Sequence, residues 1–383
     1  MRKCRAVPLV SGLCAFATAL FCLFTASAAK AGDGDVFTFT PALTIDALQN
    51  TEGGLRTGGR IMSNLDLMAD WKNDKGWEAW GYVIVDGNGG FSSRYSGDLQ
   101  TVSNIDALPA ARLFEAWTRY TSIDGRWDST FGLINLNGLF DVQPVGTPFL
   151  NSSAGIGPDY SQTAPSIFPI SGLGATGEWR MTYDTTLRGG LFDGLPGDPN
   201  HQTVFVAVHL RPNDGLNHVV ELEHRFDQGL FKLGQWGYTV ATPRWEGDRT
   251  GLKQGYYGQL VWRFLDENAD ASQGLQGWVR AGRASDDTLK IDRYVGAGLN
   301  YTGYFEGRDS DQMGIAVMQA HLGQLYRPVV QAVRTTETTV ELTYKAFVSD
   351  HLIAQPDVQM IRNPGAAGHL KDALVVGLRL KFQ

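Results

Sequence analysis

The chain has 383 residues, 46 of them Gly, with 11% aromatic residues, 19% charged residues and a formal net charge of −7. This composition can bury a large apolar core and excludes a disordered chain. The acidic balance argues against a nucleic-acid binder, which shows a basic patch or a high pI.

The N-terminus reads as an export signal. Arg2, Lys3 and Arg5 precede an apolar stretch over residues 7–24, and Ala26-Ser27-Ala28 and Ala29-Lys30-Ala31 each offer a small-x-small cleavage site. An uncleaved anchor helix is the alternative. Removing residues 1–31 of 383 leaves 352, and loss of Arg2, Lys3, Arg5 and Lys30 moves the net charge from −7 to −11. Cys4, Cys14 and Cys22 all fall in the signal. The remainder, residues 32–383, would then have no disulfide, zinc–thiolate site or cysteine nucleophile. No small residue precedes Cys14 or Cys22, so a lipoprotein is not expected.

From residue 58 onward the dominant period is 2. Ile61, Ser63, Leu65, Leu67, Ala69 and Trp71 alternate with Arg60, Met62, Asn64, Asp66, Met68 and Asp70. After the polar turn 72–76, Ala79, Gly81, Val83 and Val85 alternate with Glu78, Trp80, Tyr82, Ile84 and Asp86. Similar segments are expected at 112–120, 126–136, 204–210, 340–348 and 374–382. Connections alternate in length: a loop at 49–56, a turn at 72–76, a long loop at 88–111, a turn at 122–125 and a very long loop at 137–175. Short turns on one side and long loops on the other are the pattern of an outer-membrane barrel. No apolar run beyond residue 30 is long enough for a membrane helix, and no repeat of 20–50 residues suggests a solenoid. With about 20 residues per strand and its share of loop, 352 residues give about 16–18 strands. A barrel of that size leaves a water-filled lumen. The alternative is a large secreted β-sandwich, as in a sugar-binding lectin. Two features weigh against it: Trp71, Trp77, Tyr120 and Trp127 sit near strand ends, where membrane girdles lie, and the polar set carries full charges in strand after strand.

Several segments in order across residues 50–380 resemble the carbohydrate-selective porins of the OprB family. They include Asn50-Thr51-Glu52-Gly53-Gly54-Leu55, Gly97-Asp98-Leu99-Gln100, Val102-Ser103-Asn104-Ile105-Asp106-Ala107 and Arg112-Leu113-Phe114-Glu115-Ala116-Trp117. Phe149-Leu150-Asn151-Ser152-Ser153, Gly190-Leu191-Phe192-Asp193-Gly194, Glu341-Leu342-Thr343-Tyr344 and Gln355-Pro356-Asp357-Val358-Gln359 follow, and then Asn363-Pro364-Gly365 and Val376-Gly377-Leu378-Arg379-Leu380. One departure is the end: outer-membrane barrels commonly close on an aromatic residue, whereas Phe382 is followed here by Gln383. The resemblance implies an all-β transmembrane antiparallel β-barrel of about 16 strands in the bacterial outer membrane. It implies passive diffusion of small sugars such as glucose, no catalysis and no cofactor. Its expected partners are small carbohydrates, outer-membrane lipid and lipopolysaccharide, with no nucleic acid; a homo-oligomer is left open.

Aromatic faces stack on the C–H face of a pyranose, and charged side chains bond its hydroxyls. Such groups are expected where aromatics interleave with charges on a lumen face. Leu113, Glu115, Trp117 and Arg119 share one face of their strand, opposite Arg112, Phe114, Ala116, Thr118 and Tyr120. The Glu115 face is assigned to the lumen because a carboxylate at mid-bilayer is costly. Glu78, Trp80 and Tyr82 make a neighbouring set, Arg60, Asn64 and Asp66 another, and Gln276, Trp278 and Arg280 a fourth. The opposing reading has Trp80, Trp117 and Trp278 facing lipid. Within 137–175, Asp141, Asn151 and Asp159 are candidates for a constriction if that loop folds into the lumen rather than forming a surface flap. A rival outer-membrane hydrolase finds little support. The seven His are scattered without metal-ligand spacing, and no Gly-x-Ser-x-Gly elbow or phosphate loop occurs.

Overall fold

A computed structural model of the chain describes residues 27–32, 34–206, 208–268 and 272–383. Residues 1–26 of the expected signal lie outside the described residues. The period-2 segments form strands β1 (Ser27–Gly32), β2 (Asp35–Gly54), β3 (Gly58–Lys72), β4 (Trp77–Gly87), β5 (Ala110–Thr121), β6 (Trp127–Ile134), β7 (Gly172–Arg180), β8 (Thr185–Asp193) and β9 (Leu216–Phe226). They continue as β10 (Gly229–Pro243), β11 (Thr250–Asp266), β12 (Gly274–Ala284), β13 (Ile291–Thr302), β14 (Gln312–Leu322), β15 (Thr336–Ser349), β16 (Leu352–Arg362) and β17 (Lys371–Phe382). Each of β2–β17 pairs antiparallel with the next, and β17 returns to β2 through pairs such as Leu378↔Ala47 and Arg379↔Asp46. These sixteen strands close a barrel with no free edge. β1 pairs with the start of β2, from Ser27↔Phe39 to Gly32↔Asp35. Among the described residues no helix is long and apolar enough to cross a membrane.

Burial is inverted relative to a water-soluble sheet protein. On β15, Glu337 and Glu341 are 0% exposed, whereas Leu342 is 55% exposed. On β11, Tyr257, Gln259 and Val261 are buried, whereas Leu260, Trp262 and Phe264 are exposed. A secreted sandwich would bury the apolar set and wet the polar one; a lipid-embedded barrel does the reverse. At the short-turn end, outward rings pair across strands: Trp77 with Tyr120 at 5.0 Å, and Trp127 stacked on Trp179 at 5.1 Å. This is the interfacial girdle that the sequence suggested.

Three local expectations are corrected. The described residues of 204–210 form no strand but lie in the connection 194–215, where Phe205 O accepts a bond from Leu113 N at 2.7 Å. Pro199 and Pro212 bracket that apolar run and remove ladder donors. The loop expected at 49–56 shrinks to 55–57, because β2 continues to Gly54 through register shifts against β17. On β5 a bulge sets Val83↔Leu113 beside Tyr82↔Glu115. Strict alternation put Leu113 inside with Glu115 and put Arg112 and Phe114 outside; the extra residue sets Leu113 against outward Val83 and turns the other two inward. Arg112 Nη1 there meets Asp86 Oδ2 at 2.7 Å, and Phe114 packs edge-on to Tyr82 at 5.2 Å.

A closed ladder resists detergent unfolding. The purified protein is expected to run with different mobility on detergent gels before and after boiling; identical mobility would contradict closure between β17 and β2.

Candidate channel lining and constriction

Connections 88–109 and 135–171 turn back into the barrel. Their apolar residues explain why. Phe140 and Tyr160 are fully buried with Trp236 and Tyr257, and Tyr160 stacks on Trp236 at 4.4 Å. Phe149 packs against Trp278, and Phe91, Val102 and Leu150 pack against Leu48, Met62 and Ile361. A backbone folded inside a barrel still needs acceptors for its N–H groups. Inward carboxylates of the wall supply them. Glu337 accepts from Leu99 N at 2.8 Å and Gln100 N at 3.1 Å. Glu341 accepts from Leu150 N at 2.5 Å and Asn151 N at 3.1 Å. Glu221 accepts from Asp141 N at 2.9 Å and Tyr257 OH at 2.7 Å, and Glu115 accepts from Asn135 N at 2.9 Å. Each such bond contributes roughly 0.5–1.5 kcal/mol.

The second loop is also locked by charge. Arg280 Nη2 meets Asp141 Oδ2 at 2.7 Å, and its Nη1 bonds Asp159 Oδ1, with all three residues at most 2% exposed. The guanidinium lies 5.4 Å from the Tyr257 ring centre and 5.3 Å from that of Tyr294. Burial holds the Asp159 carboxyl above its ordinary value, with the Arg280 charge opposing. A Cβ at Gly157 or Gly282 would overlap the lock, so both positions require glycine for close approach.

Between the two loops lies a cavity of about 490 Å³. Its polar lining is almost uncharged, including Ser103, Asn104, Asn135, Asn137, Asn151 and Ser152, with Phe149, Ile156 and Phe168 as apolar surface. Asp106 also contributes, but its oxygens accept from Gly90 N and Ser92 N. Lower on the wall, β4 and β5 present the aromatic set. Trp80 stacks beside Trp117 at 6.1 Å and 21°, Arg119 lies 4.8 Å from the Trp117 ring centre, and Arg119 Nη1 is 3.5 Å from Glu78 Oε2. Tyr82 donates to Asp66 Oδ1 at 2.7 Å.

The structure thus brings together Asp66, Glu78, Trp80, Tyr82, Glu115, Trp117 and Arg119 on one inner face, with Trp80↔Trp117 and Glu78↔Arg119 directly paired. Arg60 stands apart at the loop end, half-buried and donating to Asn88 O. Trp278 and Arg280 point inward but lie beneath the inserted loop, at 3% and 2% exposure. Of the constriction candidates, Asn151 lines the cavity, whereas Asp141 and Asp159 face Arg280. Sequence reasoning missed the first inserted loop and the amide lining. The signals were Phe91, Val102 and Ile105 within a polar connection, and the Asn-rich run 135–137 at the end of β6.

A closed sixteen-stranded barrel with an apolar exterior, a polar interior and inserted loops defines a porin of the bacterial outer membrane. The profile of the "Carbohydrate-selective porin, OprB family" matches residues 54–383, and the chain belongs to that family. It is 26% identical to Porin B of Pseudomonas aeruginosa PAO1 over 148 residues, which are 34% of this chain and 33% of that protein; the match thus spans about a third of that curated relative. The fold is shared with Pseudomonas putida OprB in its high-pH structure, with a TM-score of 0.79, 19% identity, and coverage of 90% of this chain and 94% of that one. The outer membrane channel DcaP of Acinetobacter baumannii matches at a TM-score of 0.61 and 12% identity, covering 93% and 99% of the two chains.

Removing one partner of a buried ion group costs about 3–5 kcal/mol. Arg280→Ala is therefore expected to lower the melting temperature and to raise open-channel conductance or its noise in planar bilayers. Unchanged melting and unchanged current would show that the lock does not hold the loop.

Proposed function

We propose that the protein conducts small neutral sugars such as glucose by passive diffusion into the periplasm. The observation that carries this reading is the mainly uncharged amide and hydroxyl lining of the inter-loop cavity, above a wall that offers indole faces beside an Arg–Glu pair. Amides and hydroxyls exchange hydrogen bonds with a sugar without the strong grip of a buried charge, and aromatic faces accept its C–H surface. Conduction requires such balance, since a permeant must enter readily and still leave. Asp66, Glu78, Tyr82, Glu115, Trp117 and Arg119 are the proposed contacts of the lower wall, and Asn151 of the constriction. The indole of Trp117 lies on the same face as Glu115, so lipid does not reach it.

A stacking aromatic contributes roughly 0.5–1.5 kcal/mol beyond buried area. Trp117→Ala is expected to weaken block of ion current by glucose several-fold, with heat-modifiable mobility retained. Unchanged glucose block in a folded variant would remove Trp117 from the sugar path.

A further inference from the structure

Most cations of the inner wall toward the short-turn end have a carboxylate within 4.0 Å. Lys72 meets Asp70 and Glu78, Arg119 meets Glu78, Arg180 meets Asp128, Arg188 meets Glu178, and Arg379 meets Asp46. Lys345 and Lys381 do not, among the described residues. Their strands bring them onto one patch. β16 lies between β15 and β17, and the pairs Phe347↔Ile353 and Ile353↔Lys381 set Lys381 two strands from Phe347. Lys345 is one inward step before Phe347 on β15, between the pairs Thr343↔Asp357 and Ala346↔Ala354. Both lysines are half-buried. The Lys345 ammonium rests 5.2 Å from the Phe347 ring centre.

The surrounding acids are otherwise engaged. Asp46 takes two bonds from Arg379, each of 2.7 Å, and Asp66 accepts Tyr82 OH. Asp357, on β16, is 2% exposed and accepts from Gln359 Nε2 at 3.0 Å. Three cations, Lys345, Lys381 and Arg379, thus gather on one patch of the lumen wall, and of these, among the described residues, only Arg379 has a carboxylate within 4.0 Å. A low-dielectric wall strengthens the field of such a patch and draws anions to it.

We infer that Lys345 and Lys381 form an anion-accepting subsite for the carboxylate of an acidic pyranose, a uronate. This rests on the sugar-channel reading, because a uronate reaches the patch only if the lumen admits a sugar ring. The carboxylate would meet two ammonium donors while the ring hydroxyls meet water and the lumen wall. A neutral sugar gains nothing from the lysines, so the subsite distinguishes the two classes.

The test uses the full-length protein in planar bilayers, with block of ion current by glucose, glucuronate and acetate. For the wild type, glucuronate should block at lower concentration than glucose, and acetate should not block. In Lys345→Gln/Lys381→Gln, the half-blocking glucuronate concentration should rise about fivefold, as expected for two modest ion pairs, while that of glucose stays level. Lys345→Arg/Lys381→Arg should keep the glucuronate preference, and heat-modifiable mobility reports that each variant folds. The inference is overturned if glucuronate block survives the glutamine pair, if glucose and glucuronate weaken together, or if acetate blocks as glucuronate does. Block by glucose with no preference for glucuronate sinks the subsite alone. Absence of block by either sugar in the wild type sinks the sugar-channel reading as well.

Discussion

The hydrogen bonds from loop backbone N–H groups to buried wall carboxylates are the interaction on which the rest of this barrel depends. A closed ladder satisfies the strands but has nothing to offer an irregular segment threaded through its interior. An unpaired buried amide costs about 1–3 kcal/mol. Glu115, Glu221, Glu337 and Glu341 each project from an inward strand position to meet such a group or a pair of them. With those acceptors in place, Phe140, Phe149 and Tyr160 bury their rings against Trp236 and Trp278, and the loops become part of the core.

This division of labour separates charge from permeant over much of the barrel. The best-buried charges hold shape: Arg280 with Asp141 and Asp159, and Arg112 with Asp86. The cavity left between the loops presents mainly neutral donors and acceptors. A passage of that kind discriminates by hydrogen-bond pattern and shape rather than by net charge, and its weak contacts suit turnover of a solute that must exit. Partly wet ion pairs such as Arg119–Glu78 lie further down the wall, where screening lowers their individual value.

The barrel itself was legible, because period 2 and alternating loop lengths are properties of the chain alone. The expected alternation shows in the burial of β3 at Ile61, Met62 and Asn64, of β4 at Ile84, Val85 and Asp86, of β15 over residues 337–343 and of β17 at Ala373, Val375 and Val376. The Trp80–Trp117 face was legible for the same reason: placing one carboxylate, Glu115, away from lipid orients the whole strand pair. The inward turn of Arg112 was not, since a bulge breaks parity without leaving a mark in local composition. Nor was the role of Arg280. Its inward direction followed from Trp278 and Gln276, but its partners lie about 120 to 140 positions away in a loop whose path no periodicity specifies. The run 204–210 misled in the opposite way: alternation existed, but no neighbouring strand was free to pair with it.

Native-state hydrogen exchange in detergent micelles tests the central claim most directly. If the wall carboxylates hold the loops, the amides of Leu99, Gln100, Asp141, Leu150 and Asn151 should be protected to a degree comparable with the strand amides of β15 and β11. Exchange of those five amides as fast as that of exposed turn residues such as Ile123 and Asp124 would show that the loops are not fastened to the wall, and would contradict the account.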